Sequence, residues 1–201
     1  TGIISDSTWI EPTSEVINLL YDSNYSMEVN YGWNLSSSDW LIRIYLSGGS
    51  PREVIFNNSK IMQAYIFGDG SGNSFRFCVD DNFPNSSSSN HEVSPWYAID
   101  WVGWKLVSWD MSMDGTGSWI GDGNLDGNMR FDSFQLKYNQ GQSQFGKIYI
   151  DDFRIVDNVI LSTNETNFEQ PFSLGRNFPN PFNSSTEISF SVQNKSYIQL
   201  S

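Results

Sequence analysis

Residues 26–33 read SMEVNYGW, and Met27, Val29, Tyr31 and Trp33 alternate with Glu28 and Asn30. A repeat of two residues puts the first set on one face of an extended chain and the second on the other, which a helix of 3.6 residues per turn cannot do. The alternation returns in SFRFCVD, residues 74–80, where Phe75, Phe77 and Val79 oppose Arg76, Cys78 and Asp80. Burying each such Phe or Val contributes roughly 1.5–3 kcal/mol, so these rows need a second apolar layer to close against. Sheets packed face to face meet that requirement.

Short segments rich in β-branched and aromatic residues recur between clusters of Gly, Asn, Ser and Asp, and helix signals are nearly absent. The pattern is that of an all-β sandwich of two antiparallel sheets. Strands are expected over 26–33, 40–46, 63–67, 74–80, 97–100, 105–111, 130–138 and 147–156, with an earlier one near 16–20. After Asp157 the composition turns to Asn, Ser, Thr and Pro, as in an extended connector. The expected organisation is a sandwich over residues 1–157, a linker over 158–173 and a β tail over 174–201. In the tail, Ile188, Phe190 and Val192 resume the alternation, but two strands at most cannot make an independent core.

Eleven Lys and Arg against 23 Asp and Glu give a formal net charge of -12. That field repels phosphate backbones and anionic lipid, so nucleic acid and membrane surfaces are excluded as partners. The single cysteine, Cys78, rules out an internal disulfide, and the single histidine, His91, leaves little for zinc or Ser-His chemistry. Any metal is expected to be oxygen-ligated. Cys78 is expected as a small half-buried strand residue, and no apolar run is long enough to span a bilayer.

The segment LGRNFPNPFNSSTEISFSV, residues 174–192, resembles the opening of the C-terminal sorting domain of the type IX secretion system, with Asn177–Asn183 as its core. The resemblance implies export to the cell surface or medium. The pieces YSMEVNYGW, YIFGDGSGNSFRFCVDD, AIDWVGWKLVSWDM, WIGDGN and GKIYIDDFRIV, in that order, resemble a jelly-roll carbohydrate-binding module of the kind found beside bacterial glycoside hydrolases. That likeness implies a jelly-roll β-sandwich with an extended C-terminal tail, and it places Trp101 and Trp104 in the structural frame. Related jelly rolls hold a structural calcium between a carboxylate of the last strand and oxygens near the N-terminus, which singles out Asp152 of YIDDF.

Asp122, Asn124 and Asp126 followed by Gly127 reproduce the D-x-N-x-D-G spacing by which alternate side chains of a curled loop converge on calcium, with Asp132 one residue short of the usual closing position. The glycines of GDGSG, residues 68–72, lack the third spaced glycine and the following helix of a dinucleotide fingerprint, so a tight turn is expected there, with Asp69 accepting from its backbone. Sugar binding needs exposed rings for the apolar face of a pyranose and planar polar groups for its hydroxyls. Trp40, Tyr45, Tyr65, Trp96, Tyr97 and Trp109 are the candidate rings, with Arg76, Arg43 and Gln63 as polar partners. Nothing points to a paired-carboxylate, nucleophilic or phosphate-loop enzyme.

The sequence thus leads to a secreted, non-catalytic module that binds a polysaccharide through exposed aromatic residues, with calcium as a structural ion. The competing expectation is a subunit of an extracellular filament, sheath or adhesive layer, joined to copies of itself by strand addition of the C-terminal tail. N-x-[ST] sequons at Asn24, Asn34, Asn57, Asn85, Asn164, Asn183 and Asn194 are compatible with a glycosylated surface protein.

Overall fold

The computed structural model describes residues 1–19, 24–45, 53–85, 87 and 90–158, and the backbone of 172–174, 178–183, 185–187 and 190–192. Most of the expected linker, the sequons at Asn164 and Asn194, and Leu20 and Leu46 lie outside the described residues. The chain separates into two compact units, Thr1–Asn158 and Val159–Ser201. Among the described residues no helix is long and apolar enough to cross a membrane.

The first unit is a β-sandwich. Its strands in chain order are β1 (Trp9–Thr13), β2 (Ser26–Gly32), β3 (Ile42–Tyr45), β4 (Ile55–Phe56), β5 (Lys60–Asp69), β6 (Ser74–Phe83), β7 (His91–Val93), β8 (Tyr97–Ala98), β9 (Val102–Asp110), β10 (Asn128–Lys137) and β11 (Phe145–Asp157). One sheet has the order β1-β2-β11-β5-β9; the other is β3-β10-β6-β7, with β4 paired to β10 and β8 to β6. All these pairings are antiparallel. The second unit shows β12 (Phe172–Leu174) paired with β15 (Phe190–Val192) and β13 (Phe178–Asn183) with β14 (Ser185–Glu187).

The alternating rows meet as their period requires. Val29, Tyr31 and Trp33 close against Phe75, Phe77 and Val79 in a single core, to which β5 adds Met62, Ala64 and Ile66. Strand β5 belongs to one sheet and β6 to the other, so GDGSG is the corner between layers. Gly70 and Gly72 take φ of 68° and 73°, and Asp69 Oδ1 accepts the Ser71 amide at 3.0 Å.

Register shifts break the period, and two of them matter for the site. In β10, Phe131 and Phe134 both face the core, so Asp132 and Ser133 between them both lie on the outer face; the pairing with β6 slips by one residue there. In β11 the register shifts between Asp151 and Arg154, and Asp152 sits at φ 47°. Residues 16–19 form no strand; instead Ser26 Oγ donates to Val16 O at 2.6 Å and the Asn18 amide to Asp151 Oδ2 at 3.1 Å. The expected strand over 97–100 is only the two-residue β8.

Candidate functional site

The outer face of the six-stranded sheet is built from the residues that alternate with the core rows. The register places Gln135 of β10 opposite Arg76 of β6 on one side and Arg43 of β3 on the other. Arg76 is only 2% exposed and Gln135 0%. Gln135 Oε1 accepts from Arg76 Nε at 2.8 Å, and Ser118 O accepts from Nη1 at 3.1 Å.

Two loops bring rings over this row. Trp96 follows β7, and its ring lies 3.9 Å from the Arg76 guanidinium carbon and 4.9 Å from Lys137 Nζ. Trp119 comes from the connection between β9 and β10; its ring stands 5.3 Å from the Arg43 guanidinium carbon and 5.9 Å from that of Arg76. Arg43 in turn lies 5.7 Å from the ring of Tyr45, which is 64% exposed. The result is a row of alternating cations and rings: Lys137, Trp96, Arg76, Trp119, Arg43 and Tyr45.

Gly117 and Gly121 let the Trp119 loop press onto β7. The Gly117 amide donates to Val93 O at 2.7 Å, and a Cβ on either glycine would collide with Ser94 O or with Glu92 Oε1. Beside Trp96, between β8 of this sheet and β9 of the other, lies a groove of about 460 Å³ lined by Tyr97, Asp100, Trp101 and Lys105 among others.

The acids of this face are held by arginines. Asp132 Oδ1 and Oδ2 accept from Arg43 Nη2 at 2.6 and 2.7 Å, and Asp80 Oδ2 from Arg130 Nε at 2.9 Å. Burial pushes the Asp132 carboxyl up, but its bonds to Arg43 and Ser133 outweigh that and leave it below the ordinary value of 3.8. A general acid for glycoside hydrolysis needs the opposite shift. His91 Nε2 lies 3.3 Å from Asp80 Oδ1 and 3.8 Å from Asp132 Oδ1, and among the described residues these three form the one group of His, Cys, Asp or Glu whose ligand-type atoms lie within 4.8 Å of one another. With Arg43 and Arg130 on its two carboxylates, the group is an ion-pair network.

Of the rings and polar groups expected from sequence, Arg76, Trp96, Tyr45 and Arg43 come together here. Trp109 does not: it is 0% exposed in the core, because its position in β9 alternates with the outward Ser108. Trp40 packs edge-on against Tyr138 at the core margin and donates Nε1 to Asn34 O. Tyr97 is half-buried, donates its hydroxyl to Ser108 O at 2.9 Å, and is pushed up to about 12 by burial. Tyr65 and Gln63 lie on the opposite sheet, beside Arg154. Trp104, expected in the frame, packs edge-on to Phe67 on that outer face. Cys78 is fully buried rather than half-buried, and burial raises its thiol. Trp119, Gln135 and Lys137 are not among the candidates read from sequence; for Trp119 the available signals are its place at the head of WIGDGN and the flanking Gly117 and Gly121.

The metal candidates also divide. Asp132 lies within β10, not in the 122–126 loop, and is paired with Arg43. Asp152 is not the carboxylate that meets the N-terminal segment, since the bulge turns it toward Arg154 Nη1 at 2.9 Å, and Asp151 takes that place by accepting the Asn18 amide. Asp122, Asn124 and Asp126 are exposed, and Asp122 Oδ1 accepts the Asn124 amide at 2.8 Å. Asp81 borders the loop: it is 3% exposed, Oδ2 accepts the Asp126 amide at 2.9 Å, and Oδ1 has no hydrogen-bond partner among the described residues.

No family model and no curated protein matches the chain. Among solved structures, a family 11 carbohydrate-binding module from Clostridium thermocellum, in complex with a β-1,3-1,4-mixed-linked tetrasaccharide, is similar over 75% of this chain and 82% of its own at 19% identity and a TM-score of 0.47. A family 30 carbohydrate-binding module is similar over 78% of this chain and 77% of its own, at 13% identity and a TM-score of 0.48. Another family 30 module, of a cellulosomal cellulase from Clostridium thermocellum, covers 79% of this chain and 87% of its own at 12% identity and a TM-score of 0.41.

Proposed function

We propose that the protein is a non-catalytic carbohydrate-binding module that holds a polysaccharide across the outer face of its six-stranded sheet. The observation that carries this is the row of alternating rings and cations, Lys137, Trp96, Arg76, Trp119, Arg43 and Tyr45. A pyranose offers an apolar C–H face to a ring and hydroxyls to planar donors beside it, so successive sugars can use successive members of such a row. Export to the cell surface or medium belongs to the same proposal and is supported by the sorting-domain resemblance over Asn177–Asn183.

Affinity electrophoresis against neutral and acidic polysaccharides tests the proposal. Retardation of the wild type, lost in Trp96→Ala and Trp119→Ala and kept in Tyr65→Ala, is the expected result. Discrete particles that no polymer retards would end it, and filaments under negative stain without retardation would favour self-assembly through the C-terminal tail.

Calcium is proposed as a structural ion at Asp122, Asn124 and Asp126. Support comes from Asp81, whose Oδ1 is a buried carboxylate oxygen beside that loop with no donor among the described residues. In this role the ion would draw on exposed oxygens of the loop and offset the charge that Asp81 places under it.

A further inference from the structure

We propose that the sugar bound on this face carries an anionic substituent, a carboxylate or a sulfate ester, taken by Arg76 and Lys137 with Gln135 as an additional donor. The inference rests on the carbohydrate-binding proposal and adds the chemical class of its ligand.

The cations on this face differ in whether a carboxylate neutralises them. Arg43 is bound by both oxygens of Asp132, and Arg130 by Asp80. Arg76 has no carboxylate partner among the described residues: its hydrogen bonds go to an amide oxygen and a backbone carbonyl, and its flat face goes to Trp96. These acceptors orient the guanidinium without cancelling its charge. Its Nη2 donates to nothing among the described residues. Lys137, on the other side of Trp96, has no ion pair among them either. In a chain of net charge -12, with 23 acids for 11 bases, two adjacent cations without a carboxylate are a local reversal of the field.

The second observation is independent of charge. Gln135 Nε2 is a fully buried amide nitrogen with no hydrogen-bond partner among the described residues. It cannot be satisfied by exchanging the amide's oxygen and nitrogen, because Arg76 Nε needs the oxygen where it is. Buried donors are ordinarily paired, and the missing partner beside Arg76 is an acceptor. The Trp119 ring lies 5.3 Å from Arg43 and 5.9 Å from Arg76, the two residues that flank Gln135 in register. Burial holds the Arg76 guanidinium down at about 10, which is the direction an uncompensated buried cation takes and the opposite of what an anion alongside it would produce. A glutamate at 135 would have neutralised Arg76 within the protein; the glutamine leaves that role to the ligand.

The test compares polymers that differ in charge alone. Polygalacturonate and alginate are set in affinity gels beside their carboxyl-reduced forms, and a sulfated galactan beside its desulfated form. Retention by at least one acidic polymer, about tenfold or more weaker for its neutral counterpart, is expected, since a charge-assisted contact is worth at least that factor; the pair that shows it tells carboxylate from sulfate. Arg76→Gln should lose that preference, and so should Gln135→Glu, which keeps Arg76 hydrogen-bonded and paired and therefore keeps the melting temperature. Equal retention of the acidic and neutral forms overturns the inference and leaves the carbohydrate-binding proposal standing. So does an acidic preference that survives in a folded Gln135→Glu protein. Retention of none of the six polymers removes both.

Discussion

On the outer face of the five-stranded sheet, Trp104, Phe67 and Tyr149 meet edge to face with ring centres 5.5 and 5.6 Å apart, whereas on the six-stranded sheet Trp96 and Trp119 lie over cations. The polar groups differ in the same way. On the first face Lys147 pairs with Glu28 at 2.6 Å, Asn30 donates to the same carboxylate, and Arg154 is held by Gln63 and Asp152. Bonds from Lys147 and Asn30 hold the Glu28 carboxyl below its ordinary range. Its rings and charges are satisfied by one another. On the second face Arg76 and Gln135 keep hydrogen-bonding capacity that no described residue uses. Pairing of the polar groups is what distinguishes the two faces.

The largest effect should separate the faces by binding. Trp119→Ala or Trp96→Ala is expected to weaken polysaccharide binding about thirtyfold, the loss of a hot-spot ring worth ~2 kcal/mol, while Tyr65→Ala changes it less than twofold. Isothermal titration against the best-retained polymer measures this, and equal losses on the two faces would erase the distinction. Stability should show the reverse. Phe67 packs on Trp104 and on Tyr149, so Phe67→Ala should cost about 2 kcal/mol in a urea melt, against less than ~1 kcal/mol for Trp96→Ala. If Trp96→Ala proves the more damaging, its ring serves the fold rather than a ligand.

How much of this was legible in the sequence follows from the same distinction. Alternation is local, so the inward rows of β2 and β6 could be read directly, and with them the two-layer architecture. The bulges could not. Nothing in RFDSF tells that Asp132 and Ser133 share a face, nor in YIDDF that Asp152 turns aside and Asp151 meets Asn18, because an inserted residue is defined by its partner strand. The site was half legible. Arg76 and Trp96 could be nominated by type, but Gln135 acquires meaning only from having Arg76 and Arg43 on either side, and Trp109 looked as eligible as Trp96 until its place in β9 put it in the core.

The ion pairs beneath the binding face give a smaller, pH-dependent effect. Asp132 has a folded pKa below its ordinary 3.8, so it binds a proton more tightly when the chain is unfolded. Its contribution is therefore present above about pH 3.8 and is lost as pH falls through the folded value. Asp132→Asn should cost about 1.5 kcal/mol at neutral pH by breaking the charge-assisted bonds to Arg43, and should flatten the acid limb of a melting-temperature profile. An unchanged limb would mean that Arg43 is not held by Asp132 in solution, and that it joins Arg76 as a cation open to a ligand.

Calcium should give the smallest shift. The 121–127 loop already has internal support: Asp122 caps the Asn124 amide, Glu92 Oε1 accepts the Gly123 amide at 3.0 Å, and Asp81 accepts that of Asp126. An ion bound there adds to a loop that is formed without it, so its stabilisation is set by mass action alone: about 1 kcal/mol when free calcium is some five times its dissociation constant. For a chain of this size that is a rise of roughly 2–4 °C over a chelated sample. Asp122→Asn should reduce the rise, and so should Asp81→Asn if its bare oxygen lies in the ion's field. Because the same β9–β10 connection also carries Trp119, calcium should tighten polysaccharide binding by a similarly small factor. A melting temperature indifferent to chelator would leave Asp81 as the acceptor of the Asp126 amide alone and the proposed binding face to act without a metal.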